Sequence, residues 1–332
     1  MEKTYPVYEH GIEKFISKSG KARGDDITIK LDLPKERKAG STSLTVHVTP
    51  SMAVTMLDAL PYLVDYPYGC TEQTMSRFLP AVITTKTLKD LGLHAEDVMG
   101  RVFGGIESGT GLRSVPREGD LPELDKVTQA GLDRLYDFQH SDGGWGWWKE
   151  GESDHWMTAY VVWGLTLAKQ ANVEIRDGVA RRAATFLNQH LVEEEDSPDM
   201  QAWMLHALAV YKASLNESGL SQFEQKAFDN LWKKRDQLNA YTRALFALAA
   251  HYFGKADEAK VLIRNLANGV IRDDRPDQSV LIKSGGRSAK SEGVLGTAHW
   301  GEDGIFWRWS EGGVEATAFA LRALLAIDPD NE

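Results

Sequence analysis

The sequence predicts a mainly helical fold built from stacked helical hairpins, with a short β segment near its amino-terminal end. Apolar residues alternate with polar ones over residues 24–49, and they recur at helical spacing from about residue 51 to 327. Similar amphipathic helices begin at Met157, Gln201 and Tyr241. These starts lie about 40 residues apart, and such a period accommodates two helices and two loops.

The β segment is predicted from two runs of alternation that are joined by a polar connection at 34–42. The alternating apolar residues are Ile27, Ile29, Leu31 and Leu33, and then Leu44, Val46 and Val48. Pro50 ends this pattern.

The helical part is predicted to contain eight main helices separated by loops that are rich in Gly, Pro, Asp and Asn. They are 72–91, 124–139, 154–170, 177–191, 198–215, 221–234, 238–253 and 313–327. Residues 273–293 are predicted to form an exposed loop. Hairpins of this kind stack into an open solenoid or close into a ring, and the repeat period fits both.

Two aromatic turns precede helices of the repeated type. Residues 142–148 and 303–309 both begin with Asp-Gly, and aromatic side chains follow three and six positions after the Asp. We expect these turns to fill the gap between neighbouring helix ends, which supports ring closure without proving it.

The composition limits the classes of partner. The chain has 332 residues, and its 48 acidic and 38 basic residues give a formal net charge of -10. Nucleic acid is therefore not an expected partner, because phosphate binding needs a concentrated positive face. No apolar run reaches the ~18 residues of a membrane helix, and residues 1–10 lack the pattern of a secretion leader. With one cysteine, the chain cannot form an intramolecular disulfide.

The motif that carries chemistry contains this single cysteine. Cys70 follows a Pro-Tyr-Gly turn, and Gln73 lies three residues later at the predicted start of a helix. Side chains three apart lie on the same side of such a turn. The sulfur of Cys70 can therefore reach the Gln73 carbonyl, and loss of ammonia would join them in an internal thioester. A thiolate leaves an acyl group far more readily than an amine does.

The predicted chemistry is a covalent trap that acts once and not an enzyme that turns over. Water would hydrolyse a stored thioester, so the bond requires a dry site. Tyr66, Tyr68, Met75 and Phe78 are the nearest candidates for a cover, with Tyr66 the best placed; core packing is the alternative role, favoured for Met75 and Phe78. Glu72 is expected to shape the turn and to bond to the backbone at the helix start.

At residues 67–73 the sequence resembles the Pro-Tyr-Gly-Cys-Xaa-Glu-Gln motif of alpha-2-macroglobulins, complement thioester proteins and their bacterial relatives. Residues 156–162 and 314–318 resemble two further helices of the same family. Thr71, where vertebrate members usually have Gly, and the lack of disulfides are similar to the bacterial branch.

The resemblance implies an α/α toroid inserted in a small β domain of the CUB type. Residues 1–50 would then be part of the CUB-like domain and a linker, and 51–332 a toroid that lacks its last hairpin. The implied function is covalent capture of proteases or other targets through their surface amines, without a cofactor. The implied setting is a larger parent protein in the periplasm, cell envelope or extracellular space.

Two alternatives from other classes remain open. One is a terpene cyclase or prenyltransferase, which share the toroid: residues 139–145 resemble the Gln-Trp repeat of triterpene cyclases, and 273–277 match a magnesium-binding Asp-Asp-Xaa-Xaa-Asp pattern. Pro276 would disrupt the helix that such aspartates need. The other alternative is a passive helical scaffold with a free thiol and an unmodified glutamine.

The histidines indicate neither a metal site nor a catalytic relay. They are scattered without paired spacing; the main ones are His155, His190, His206, His251 and His299. In some complement proteins a histidine first attacks the thioester. The matching stretch here, 188–200, has only His190, which lies too early. His155 and His299 lack a supporting motif, so we expect direct transfer to amines.

Overall fold

The computed structural model describes residues 14–18, 26–38, 40–46, 48, 69–90, 120–273, 280–283, 297–302 and 312–331. Within these ranges the helices are α1 Thr71–Asp90, α2 Asp120–Phe138, α3 His155–Gln170, α4 Asp177–His190, α5 Pro198–Ser214, α6 Gln222–Lys234, α7 Ala240–Tyr252, α8 Ala256–Asn268 and α9 Gly313–Ile327. The strands are β1 Asp26–Ile29, β2 Ile271–Asp273, β3 Val280–Lys283 and β4 Thr297–His299. The chain divides into two compact units, Met1–Val46 with Ile271–Ala298 and His47–Val270 with His299–Glu332.

The helices of the second unit form two layers. Helices α1, α3, α5, α7 and α9 pack each against the next in that order, and α2, α4, α6 and α8 pack on them from the other side. Helices α3, α5 and α7 are buried along most of their length, whereas α6 and α8 bury one face. This succession of hairpins, with one helix inside and one outside, confirms the prediction of a mainly helical α/α toroid architecture.

Glycines allow the helices around α1 to approach closely. A Cβ built at Gly164 of α3 would lie 2.3 Å from the Met75 methyl group, and one at Gly131 of α2 would lie 3.1 Å from Phe78. Met75 and Phe78 are completely buried. The bulky side chains of α1 therefore occupy space that its two neighbours leave open.

Side-chain caps fix where the inner helices begin. The Asp154 carboxylate accepts a hydrogen bond from the Met157 amide at 2.8 Å, and the Asn239 side chain accepts one from the Thr242 amide at 2.8 Å. Each cap satisfies an amide that has no partner within its helix. The sequence places both caps within a residue or two of the predicted helix starts.

Helix α8 was not among the predicted helices. Its buried residues are Ala259, Leu262, Ile263 and Leu266, which have the spacing of one helical face. The segment is otherwise polar, and it follows the end of α7 after only three residues. The apolar periodicity that predicts the other helices is therefore also present in α8.

The β prediction is correct only in part. Strand β1 forms and pairs antiparallel with β3, from Asp26 opposite Lys283 to Ile29 opposite Val280. The loop prediction for 273–293 is therefore wrong at β3. The second predicted strand is also wrong, since residues 40–46 and 48 form no strand.

Residues 271–298 group with the amino-terminal segment into one unit, which the predicted boundary at residue 50 did not anticipate. Strands β2 and β4 form a second two-stranded sheet. The CUB-like identity of this unit stays a prediction.

The aromatic turn at 142–148 ties α2 to α3. Trp145 is completely buried, and its indole N–H donates to the Leu135 carbonyl in the last turn of α2 at 2.7 Å. Its backbone amide donates to the Thr158 hydroxyl in the first turn of α3 at 2.9 Å. The prediction that this turn packs structurally is confirmed for Trp145.

A second tryptophan makes the same contacts later in the chain. The indole N–H of Trp300 donates to the Leu266 carbonyl at 2.8 Å, and its amide donates to the Thr317 hydroxyl at 3.0 Å. The counterpart of Trp145 is therefore Trp300, three residues before the turn that the sequence suggested. That turn, 303–309, lies outside the described residues.

Candidate functional site

Cys70 and Gln73 face each other across the first turn of α1. The Cys70 backbone N–H donates to the Gln73 side-chain carbonyl oxygen, Oε1, at 3.1 Å. This bond folds the glutamine side chain back over the residue that precedes the helix. Cys70 is buried, and the two residues are neighbours in this turn.

Gly69 provides the space that the Gln73 side chain occupies. A Cβ at position 69 would lie 1.9 Å from Gln73 Oε1 and 3.1 Å from its carbonyl carbon. The Gly69 carbonyl accepts a hydrogen bond from Arg134 of α2 at 2.6 Å. Sequence reasoning missed Arg134, because nothing in its local pattern relates it to a turn 65 residues earlier.

The aromatic turn at 142–148 also anchors the start of α1. The Thr71 amide donates to the Trp147 carbonyl at 2.9 Å, and the buried Thr71 hydroxyl donates to the Gly146 carbonyl at 2.7 Å. The Thr74 amide donates to the Cys70 carbonyl at 3.1 Å. The backbone on both sides of the Cys70 sulfur is therefore fixed.

The site is largely shielded from solvent by core residues. Cys70 is 7% exposed, and Met75 and Phe78 are completely buried. Met75 packs against Gly164 of α3 and so belongs to the core, the role that the sequence favours for it. Tyr66 and Tyr68, the other predicted covering residues, lie outside the described residues.

Glu72 makes a side-chain contact and not the backbone contact that we expected. Its carboxylate accepts a hydrogen bond from the Ser76 hydroxyl one turn later at 2.5 Å. Tyr160 of α3 is hydrogen-bonded to Ser76, and burial together with the nearby Glu72 charge raises the pKa of Tyr160 to about 12. The three residues form a polar link between α1 and α3 beside the Cys70 turn.

The structure gathers two histidines that the sequence left apart. His155 begins α3, His190 ends α4, and their ring centroids are 5.2 Å apart. His155 Nδ1 lies 2.6 Å from Glu194, and His190 Nδ1 lies 3.0 Å from Glu193. The bond from His190 holds the pKa of the Glu193 carboxyl below its usual value. Glu194 belongs to the acidic run 193–196, and its side chain is only 21% exposed.

The structure describes one residue of the magnesium-binding pattern at 273–277, and this residue is not in a helix. Asp273 ends strand β2, and 274–277 lie outside the described residues. This placement disfavours the cyclase alternative, in which aspartates converge from a helix face.

Comparison with known proteins gives one family. The profile of the A-macroglobulin TED domain matches residues 43–194. The chain is 31% identical over 224 residues to the alpha-2-macroglobulin of Thermotoga maritima, covering 61% of this chain and 13% of that protein. It is 23% identical over 159 residues to thioester-containing protein 1, allele R1, of Anopheles gambiae, covering 48% of this chain and 10% of that protein.

The comparison with solved structures gives a further similarity. The native conformation of Escherichia coli alpha-2-macroglobulin aligns with a TM-score of 0.46 and 19% identity, covering 64% of this chain and 12% of that one. The chain thus spans about an eighth or less of the relatives that it matches. Residues 43–194 therefore match the A-macroglobulin TED domain family, and the chain is similar to alpha-2-macroglobulins and to a thioester-containing protein.

Proposed function

We propose that this chain is the thioester domain of an alpha-2-macroglobulin-like protease inhibitor and that it captures targets covalently through Gln73. The observation that carries the proposal is the hydrogen bond from the Cys70 amide to Gln73 Oε1. It brings the only thiol of the chain beside a carboxamide, at the start of a helix whose backbone is anchored on both sides.

Formation of the bond joins the Cys70 sulfur to the Gln73 side-chain carbonyl carbon. The thiol gives up its proton, the carboxamide nitrogen leaves as ammonia, and an S–C(=O) linkage remains. The Cys70 N–H polarises the carbonyl, since it already donates to the oxygen on which negative charge develops during attack. The positive end of the α1 dipole favours the same charge.

Capture reverses the roles of these two residues. The nitrogen lone pair of a target amine attacks the Gln73 carbonyl carbon, and the carbon–sulfur bond breaks. The Cys70 sulfur takes the amine proton and is released as a thiol, while the target is held by an amide bond. Each chain can react once, so we place it among protein traps and not among turnover enzymes.

The decisive experiment measures the intact mass of the chain before and after methylamine is added. We expect the native chain to be lighter than its sequence by one ammonia and to have no reactive thiol. Methylamine should label Gln73 and expose Cys70 in equal amounts. Full reaction of Cys70 with a thiol reagent before any amine, together with an intact Gln73 amide, would contradict the proposal and favour a passive scaffold.

Two variants separate this chemistry from folding. Cys70→Ala should abolish labelling and leave the helical circular dichroism spectrum unchanged, because one small residue at a turn contributes little to the core. Thr85→Ala on the same helix is the matched control, since its hydroxyl bonds only to the Ala81 carbonyl within α1. It should label like the wild type.

We further propose that transfer goes directly to amines without a histidine relay. His190 lies with His155 and the 193–194 carboxylates at the end of α4. Amines should therefore react far better than hydroxyls. Glycerol and methylamine labelling can be compared in the wild type and in His190→Ala. Strong glycerol transfer that disappears in the variant would establish a relay.

The partners and setting are part of the same proposal. The parent protein would present this domain to proteases in the periplasm, at the cell envelope or outside the cell, and its other domains would supply the trigger. In the described part of the chain, no helix combines the length and the apolar character that crossing a membrane requires.

A further inference from the structure

The end of α4 and the start of α3 bring together two imidazoles and a carboxylate. His155, His190 and Glu193 each offer one ligand atom, and these three atoms lie within 4.8 Å of one another. His155 Nε2 is 3.9 Å from Glu193 Oε2, and His190 Nδ1 is 3.0 Å from the same oxygen. Ligands bound tetrahedrally at zinc distances lie about 3.3 Å apart. The three atoms therefore need only small movements to share one ion, and the ion would replace the proton that His190 Nδ1 donates to Glu193 Oε2.

The orientation of His155 is set by a second carboxylate. Glu194 Oε1 lies 2.6 Å from His155 Nδ1, and a carboxylate can only accept, so Nδ1 carries the proton. In the neutral ring the lone pair is then on Nε2, which lies 3.9 Å from Glu193 Oε2. In zinc sites, a ligating histidine commonly donates its other ring N–H to a carboxylate, which fixes the tautomer.

The elements that carry these residues are held in place independently of any ion. The helix that begins at His155 is capped by Asp154, and Phe186 packs against both imidazole rings at 5.9 and 4.4 Å. The side chains of His155 and His190 are 21% and 33% exposed, and that of Glu193 is 57% exposed. The cluster is therefore pre-formed on its protein side and reachable from solvent on the other.

We propose that His155, His190 and Glu193 bind a zinc ion, with Glu194 orienting His155. Two imidazoles and one carboxylate suit a borderline divalent cation and leave the fourth tetrahedral position to water. The sequence does not indicate this site, because the two histidines are not at paired spacing. His155 begins the first helix of an antiparallel hairpin and His190 ends the second, so they meet only in the folded chain.

The test is calorimetric titration of the EDTA-treated, dialysed chain with zinc chloride at pH 7.5. We expect one zinc per chain, and an affinity that falls toward pH 5.5 as protons compete for the imidazoles. Magnesium should give no binding heat, because imidazole ligands disfavour it. The same titration in Cys70→Ala removes the only thiol and should give the same result. It also separates this proposal from the thioester proposal, since neither depends on the other.

Variants in the same turn identify the ligands. Glu193→Gln and His190→Ala should weaken zinc binding by about 100-fold or more, and Glu194→Gln by about 10- to 100-fold. Glu195→Gln, the neighbouring exposed carboxylate, and His251→Ala, an exposed histidine of α7, are the matched controls and should change affinity less than twofold. If a histidine variant fails to fold, Glu193→Gln still tests the proposal. The Glu193 side chain is mostly exposed, so this substitution should not disturb folding. Absence of saturable one-to-one binding, or equal weakening by Glu193→Gln and Glu195→Gln, would overturn the proposal.

Discussion

Gly69 determines whether the Gln73 carboxamide can lie over the turn. Because a Cβ at position 69 would lie 1.9 Å from Gln73 Oε1, Gly69→Ala should push the flexible glutamine side chain away from Cys70. We expect loss of methylamine incorporation with little change in melting temperature. The measurement is the labelled fraction by intact mass.

A matched glycine variant shows whether the effect is local. Gly219→Ala places its Cβ in open space, with no heavy atom within 4 Å, and it should label like the wild type. If Gly69→Ala were labelled to the same extent as Gly219→Ala, the folded-back position of Gln73 would not be the reactive one.

His206 is a completely buried histidine. It lies in α5 beside Trp163, Trp203 and Phe319. Neither ring nitrogen has a partner among the described residues. Burial and, to a smaller extent, the positive charge of Arg322 hold the pKa of His206 well below its usual value. The folded chain therefore keeps this ring neutral in mildly acidic solution.

Acid should therefore destabilise the fold through His206. Below the unfolded-state pKa of about 6.5, the unfolded chain gains a proton at this ring and the folded chain does not. Stability from this residue is fully present above pH 6.5 and is lost as pH falls, by up to about 1.4 kcal/mol per pH unit. Urea unfolding of His206→Leu should have a correspondingly smaller pH slope between pH 6.5 and 5.5. The exposed His251→Ala variant should keep the wild-type slope, and an unchanged slope in His206→Leu would contradict the assignment.

At the scale of elements, Trp145 and Trp300 perform the same structural task in two hairpins. Each indole N–H donates to a carbonyl in the last turn of the preceding outer helix, α2 or α8. Trp145→Phe and Trp300→Phe should each leave that buried carbonyl without its indole donor and reduce the free energy of unfolding by about 1–3 kcal/mol. Trp148→Phe, at a 60% exposed position, should change stability by less than about 0.5 kcal/mol. Chemical denaturation of the three variants measures these differences.

The sequence predicts the helices better than the strands because helix evidence is local. Asp154 and Asn239 each cap a helix, and in both cases the cap and the apolar period that follows it lie within one short segment of the sequence. A strand needs a partner, and β1 finds its partner in β3, within a segment predicted to be a loop. Leu44 continues the alternating pattern, yet 40–46 form no strand and Leu44 is 72% exposed.

The same distinction applies to the sites. Cys70 and Gln73 are three residues apart, and their spacing alone indicates that they can meet. Arg134 and the Tyr160–Ser76 contact depend on how α2 and α3 pack against α1, and no local pattern encodes that. His155 and His190 meet only because two helices run antiparallel with matching lengths.

At the scale of the whole helical unit, the two layers should differ in how easily they open. Helices α3, α5 and α7 are surrounded by other helices, while α6 and α8 bury one face only. Amide hydrogen exchange followed by mass spectrometry should find the inner helices exchanging at least about tenfold more slowly than the outer ones. Equal protection in both layers would mean that each hairpin opens as one unit.

The pairing of β1 with β3 affects how the chain can be made. Strand β1 leaves the ribosome before β3, and about 250 residues must be translated between them. At about 5–20 residues per second, this takes roughly 12 to 50 s. Helices α1 to α8 are translated before β3 and can form during this time, while β1 has an open edge that another nascent chain could join. Pairing of β1 should therefore follow the synthesis of these helices, and chaperones that bind extended segments should protect β1 on polysomes.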